Sequence, residues 1–194
     1  MHRSKRLACL CAGLLLGALA QVAAQGRPDP AALLAAQREA MQPLQTMNGV
    51  WRGTATMVEP SGEKRTITQT ERIGPLLDGT LKVIEGRGYD GEGKLVFNSF
   101  GIVSFNPATR SFGMRSYARG FSGDFVFRPT ADGFSWEIPA GGATIRYTAT
   151  IKGDTFHEIG ERIVPGGEPV RFFEMTLKRI GDTDWPSSGA VGPK

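Results

Sequence analysis

His157 is the residue of this chain with the most chemistry to offer. The only other histidine, His2, lies in an N-terminal stretch that reads as a cleaved leader. An imidazole can bind a metal or haem iron, move a proton near neutral pH, or hold the polar end of a ligand. On a strand, alternation places His157 on the parity of Ile159, Glu161 and Ile163. That parity predicts a ring pointing into an apolar interior near Tyr147 and Met175, with Glu161 on the same face, either orienting the ring or left on a wet rim. Three roles follow: a hydrogen-bonded core residue, a contact to a ligand's polar end, or a ligand to haem or metal. Tyr147, His157 and Glu161 also have the residue types of an acid–base trio for an isomerase or hydrolase. Nothing else in the chain supports that trio, so no catalytic residue is assigned.

Other chemical motifs fail on their local setting. Gly86-Arg87-Gly88-Tyr89-Asp90-Gly91 spells a dinucleotide fingerprint, but that motif needs a helix N-terminus behind its glycines to receive the pyrophosphate. Here a hairpin turn and a strand follow. His157-Glu158-x-x-Glu161 lacks the second histidine of a zinc motif and sits on a strand, where positions i and i+4 share no helical face. No metal site is expected. Gly120-Phe121-Ser122-Gly123-Asp124 departs from a nucleophile elbow at its last position.

The elements that must position these residues are strands. From Gly49 to about residue 180 the chain alternates in period two, punctuated by turn chemistry such as Pro60-Ser61-Gly62, Asp90-Gly91-Glu92-Gly93, Asn106-Pro107, Gly141-Gly142 and Gly153-Asp154. Ten strands are predicted, near 50–58, 64–73, 79–88, 94–105, 111–118, 123–129, 133–138, 143–152, 155–164 and 169–180. Short connections make sequential strands antiparallel neighbours. Closing the meander removes its exposed edges. The fold class is therefore all-β, an up-and-down antiparallel barrel of about ten strands.

One short α-helix precedes it. Asp29 is placed to cap, Pro30 suits the first helical position, and Ala31 to Met41 is an Ala/Leu-rich stretch halted near Pro43. Several strands show a clear apolar face: Phe134, Trp136 and Ile138; Ile145, Tyr147, Ala149 and Ile151; Phe173, Met175 and Leu177. Trp136 and Phe97, Phe125, Phe134 and Phe173 can serve as barrel core or as a ligand cage. Strand 94–105 is apolar on both faces, which leaves its inward side open.

Residues 1–24 read as a signal peptide. Arg3, Lys5 and Arg6 precede the apolar run Leu7 to Leu19, and cleavage is expected after Ala20 or Ala24, with a retained anchor as the alternative. Both cysteines, Cys9 and Cys11, fall in this segment, so the rest of the chain has no disulfide. The full chain has 23 Lys and Arg against 19 Asp and Glu; without the segment the balance is 20 against 19. The basic character is thus a targeting feature, and no nucleic-acid partner is expected. No later stretch is long and apolar enough to span a bilayer as a helix. The domain plan is a signal peptide at 1–24, linker and short helix at 25–48, barrel at 49–180 and a flexible tail at 181–194.

Gly49-Val50-Trp51, behind a short helix and ahead of a meander, resembles the Gly-x-Trp signature that opens the calycin, or lipocalin-like, barrels. The resemblance implies that Trp51 packs across the closed end of the barrel against an arginine of the last strand, here Arg179. The longer string Gly49-Val50-Trp51-Arg52-Gly53 is similar to the nitrobindin-like haem barrels. It departs from them at Ala55, where they have a glycine, and in lacking a histidine on the last strand. Phe156-His157-Glu158-Ile159-Gly160-Glu161 is similar to a stretch of exported bacterial lipocalin-like domains with no assigned activity.

These readings together imply an exported carrier or sensor of a small, largely apolar molecule, periplasmic or secreted. The ligand-binding candidates are Trp136, Tyr147, His157, Glu161, Phe173 and Met175. No cofactor is required. A haem barrel using His157 and a filled barrel with a structural or interaction role are the alternatives.

Overall fold

The computed structural model describes residues 28–185 and 192. The expected signal peptide with Cys9 and Cys11, and the tail beyond Trp185 apart from Gly192, lie outside the described residues. Helix α1 spans Pro30–Met41, and the Asp29 carboxylate caps it by accepting from the Ala31 N–H at 3.0 Å. Pro43 ends the α-helical hydrogen bonding, yet the chain does not become a linker. Residues Gln42–Met47 continue as a 3-10 helix that has Pro43 in its first turn, where a missing N–H costs nothing, and that buries Leu44 and Met47.

Ten strands follow: β1 Gly49–Val58, β2 Lys64–Leu76, β3 Leu81–Tyr89, β4 Leu95–Asn106, β5 Ser111–Ala118, β6 Phe121–Thr130, β7 Gly133–Ala140, β8 Ala143–Lys152, β9 Thr155–Ile163 and β10 Val170–Gly181. Each pairs antiparallel with its sequence neighbours, and β1 pairs with β10 to close the barrel. Among the described residues no helix is long and apolar enough to cross a membrane.

One end of the barrel is sealed. Gln37 Nε2 donates to the Phe105 carbonyl and Arg38 Nε to the Asp78 carbonyl, which ties α1 to the end where β2 turns into β3. Trp51 is fully buried there, donates its indole N–H to the Met47 carbonyl at 3.0 Å, and meets Phe156 edge-on at 5.8 Å. Arg179, its partner across the β1–β10 seam, places its guanidinium carbon 5.5 Å from the indole ring and donates to the Asn48 carbonyl. Lys82 is also buried at this end. It donates to Asn48 Oδ1, and burial lowers its ammonium to about 8.

The structure resolves the face of β4. Phe97 and Gly101 line the lumen, whereas Phe100 points outward and meets Trp185 at 6.2 Å. Within the expected flexible tail, 181–194, the described residues up to Trp185 make contacts with the barrel. Residues through Trp185 lie along the outer wall: the Trp185 indole donates to the Arg72 carbonyl at 3.2 Å, Arg72 stacks over the ring at 4.1 Å, and Asp184 pairs with the same guanidinium. The outward Phe100 is thus met by the chain's own Trp185.

Candidate functional site

Above the sealed end the barrel keeps a cavity of about 530 Å³. Its wall is chiefly aromatic and aliphatic, with Phe97, Phe125, Trp136, Tyr147, Phe173 and Met175 prominent. Trp136 and Tyr147, opposite each other on β7 and β8, stack at 4.5 Å with their rings 10° apart. Gly160 makes that arrangement possible. A Cβ there would lie 2.8 Å from Tyr147 Cε1 and 2.9 Å from Phe173 Cβ, so the bare backbone leaves room for both rings. At the other end of the lumen, Arg119 in the β5–β6 turn reaches to 5.6 Å from the Phe97 ring, and Phe121 beside it is 80% exposed. That end is the mouth.

The floor is acidic. On β2 the residues Ile67, Gln69, Glu71 and Ile73 face inward by alternation, and Glu71 pairs with Trp51, which sets it just above the plug. Across the β2–β3 ladder its partner is Gly86. A Cβ on Gly86 would come within 2.9 and 3.1 Å of the two Glu71 carboxylate oxygens and 2.7 Å of Ser99 Oγ, so the carboxylate occupies the space that a side chain would fill. Gln69 Nε2 donates to Glu71 Oε1 at 2.8 Å, while Oε2 is buried with no partner. Burial pushes this carboxyl up to about 8; the Gln69 bond pulls it back, and the charges of Glu158 and Glu85 push it further up.

Glu158 enters the same lumen from β9. Burial pushes it up to about 7, against the pull of the Trp136 indole N–H, which donates to Oε1 at 3.3 Å. Burial, helped by Glu158, also raises the Tyr147 hydroxyl to about 12, with Arg119 opposing. Two carboxyls that stay partly protonated near neutrality thus share an apolar chamber.

Of the residues expected to contact a ligand, Trp136, Tyr147, Phe173 and Met175 line the cavity. His157 and Glu161 do not, which corrects their expected orientation. His157 lies on the outer wall, its side chain 41% exposed, with Nε2 2.9 Å from Glu174 Oε1. Glu161 shares that outward parity and pairs in register with Arg146. The reason is the two-residue turn Gly153-Asp154, which fixes Ile151 opposite Phe156 and Thr150 opposite His157. With Ile151 inward, Phe156, Glu158 and Gly160 must be the lumen face of β9. The acid–base trio therefore does not assemble: Tyr147 is inside, and its two companions are outside.

The haem alternative meets the same obstacle. His157 is the one histidine among the described residues, and the lumen wall separates it from the cavity, so these residues do not fit a haem held by imidazole. Nor do three metal-ligating side chains cluster anywhere among the described residues. The interior is hollow, which also departs from the filled barrel considered as an alternative.

Glu71, Gln69 and Glu158 are the functional candidates that reading the sequence missed. The signal for Glu158 was present in the hairpin register. For Glu71 it was the polar pair Gln69 and Glu71 set between Ile67 and Ile73 on one face of β2, met by a glycine on the next strand. No protein-family model matches this chain, and no curated protein sequence does. Fold and cavity together define its class: a closed, ten-stranded, up-and-down β-barrel, plugged at one end and hollow above.

Proposed function

We propose that this protein binds a small, largely apolar molecule in its lumen, as a carrier or sensor exported to the periplasm or medium, in the manner of calycin barrels. The observation that carries this reading is the cavity itself. Its volume of about 530 Å³ falls within the range of small-molecule sites, roughly 300–1,000 Å³. An apolar wall of that size, shielded by a plugged floor, gains from transfer of apolar surface out of water. Trp51, Arg179 and the Gly-x-Trp string at Gly49 support the calycin comparison. The leader-like residues 1–24 support export.

Native mass spectrometry of protein purified from its producing cells tests both parts. The expected result is a chain beginning after Ala20 or Ala24 that carries an extra mass of a few hundred daltons, lost on extraction with organic solvent. The reading of the cavity fails if the extracted protein takes up neither its extracted material nor decanol. Export fails if the chain keeps residues 1–20 and is absent from both the medium and the periplasm.

A further inference from the structure

The cavity's floor bears on what kind of molecule fits. An apolar chamber that served only to hold hydrocarbon would lose by carrying carboxyls, because a buried polar atom without a partner costs about 1–3 kcal/mol. Here Glu71 Oε2 is such an atom, buried in the cavity wall and unbonded. Gly86 has no side chain where one would exclude the carboxylate, and Ser99 Oγ borders the same gap. Glu158 stands across the lumen. The cationic side chain among the cavity-lining residues is Arg119, and it sits at the mouth.

We propose that this floor is a cradle for a basic nitrogen, and that the occupant is a lipophilic amine bound amine-first, with Glu71 as its main partner and Glu158 beside it. The proposal rests on the cavity being a ligand site and adds the chemical class of the ligand. A basic nitrogen suits the unpartnered oxygen better than other polar heads. With Gln69 donating to Oε1, the proton of a neutral Glu71 belongs on Oε2. An amine arriving as ammonium displaces that proton to solvent, and its N–H donates to the same oxygen, giving a charge-assisted hydrogen bond. A carboxylic acid placed head-down would set a third carboxyl against two. Placed tail-down, it would leave Oε2 facing a methyl group.

Proton balance supplies an independent readout. An alkylamine is an ammonium ion in solution at pH 7, whereas burial holds Glu71 mostly protonated at that pH. Forming the ammonium–carboxylate pair therefore sends the carboxyl proton to the buffer. The groups facing this carboxyl are Gln69 on its own strand, Ser99 from β4 and Glu158 from β9, with Glu85 of β3 acting through the sheet.

The test titrates the purified protein with decylamine, decanol and decanoic acid in a calorimeter, in two buffers that differ in ionisation enthalpy. Decylamine is expected to bind at least about tenfold more tightly than either of the others and to release close to one proton at pH 7. In Glu71→Gln, checked as folded by urea unfolding, the amine preference and the proton release should vanish; Glu158→Gln should weaken the amine by a smaller factor. Decanol or decanoic acid binding as tightly as decylamine to the unaltered protein would overturn the amine proposal and leave the cavity reading intact. Amine preference surviving in Glu71→Gln would overturn the assignment to this carboxyl. Binding of none of the three would overturn the cavity reading and this inference together.

Discussion

The two faces of the barrel wall treat the same side chain in opposite ways. On the outer face, carboxylates sit beside cations: Glu137 lies between Arg146 and Arg128, Glu85 between Arg72 and Arg87, and Glu174 between His157 and Arg171. Arg146 holds Glu137 below the usual carboxylate range, and His157 does the same for Glu174. On the inner face, Glu71 and Glu158 have neutral hydrogen-bond partners and no cation, and both are pushed up. Adjacent residues of β9 show the contrast at its sharpest, with His157 in solvent and Glu158 in the lumen. Exposed ion pairs of the outer kind are worth little, roughly 0–1 kcal/mol each. The inner carboxyls cost stability, and a cost carried at one place in an otherwise apolar chamber points to function rather than folding.

Removing the plug should produce the largest effect on either face. Trp51→Ala deletes a fully buried indole and its contacts with Phe156 and Arg179, and is expected to cost about 3–5 kcal/mol in urea unfolding. The fraction that folds should keep its affinity for decanol, since Trp51 lies below the cavity. A stable Trp51→Ala protein that no longer binds would move the indole from the plug into the site.

The next effect is one of pH, and its sign follows from the raised inner carboxyls. Both are protonated more readily in the folded chain than in the unfolded one, so their protonated forms favour folding at low pH. That advantage is lost as pH rises through about 7 and 8. Stability should therefore decline from pH 5 to pH 8 by about 3 kcal/mol or more, at roughly 1.4 kcal/mol per unit of displacement. Buried Lys82 acts in the opposite direction, but only above about pH 8, where its folded form loses its proton. Urea midpoints across this range check the slope, and Glu71→Gln should flatten most of it. A flat profile in the unaltered protein would show the inner carboxyls to be solvated, and the contrast between the faces would collapse.

The smallest effect belongs to the outer face. His157→Gln should change stability by no more than about 1 kcal/mol and leave decanol binding untouched, since the pair with Glu174 is exposed. Loss of binding in that variant would return the imidazole to the lumen.

How far the sequence reaches can be judged strand by strand. Turn chemistry and period-two alternation placed all ten strands, because glycines, prolines and Asx residues act locally and short connections leave few topologies. Helix α1 was legible from Asp29 and Pro30 for the same reason. The face of β9 was misread: Ile159 and Ile163 outweighed Phe156 when the strand was taken alone. The two-residue turn at Gly153-Asp154 held the answer, since Thr150 already belonged to a polar face and His157 stands opposite it. Register decides orientation more firmly than composition does. The acidic floor was harder to see. It depends on Glu71 of β2 meeting the gap above Gly86, and on Glu158 arriving across a closed lumen, which only ring closure brings about. The docking of Trp185 likewise needs a surface assembled from Arg72, Gly74 and Phe100, three strand positions with no local mark.

The seam between β1 and β10 also sets the order in which the molecule can be built. Nine of the ten strand pairings join sequence neighbours through short turns and can form as soon as each hairpin is made. The tenth brings Trp51 to Arg179, from opposite ends of the barrel sequence, and must meet the entropy of closing nearly the whole chain. Until β10 arrives, Trp51 lacks the guanidinium over its ring and β1 presents an unpaired edge. The barrel is thus completed from its last residues, and a chain whose C-terminal strand is delayed is held open.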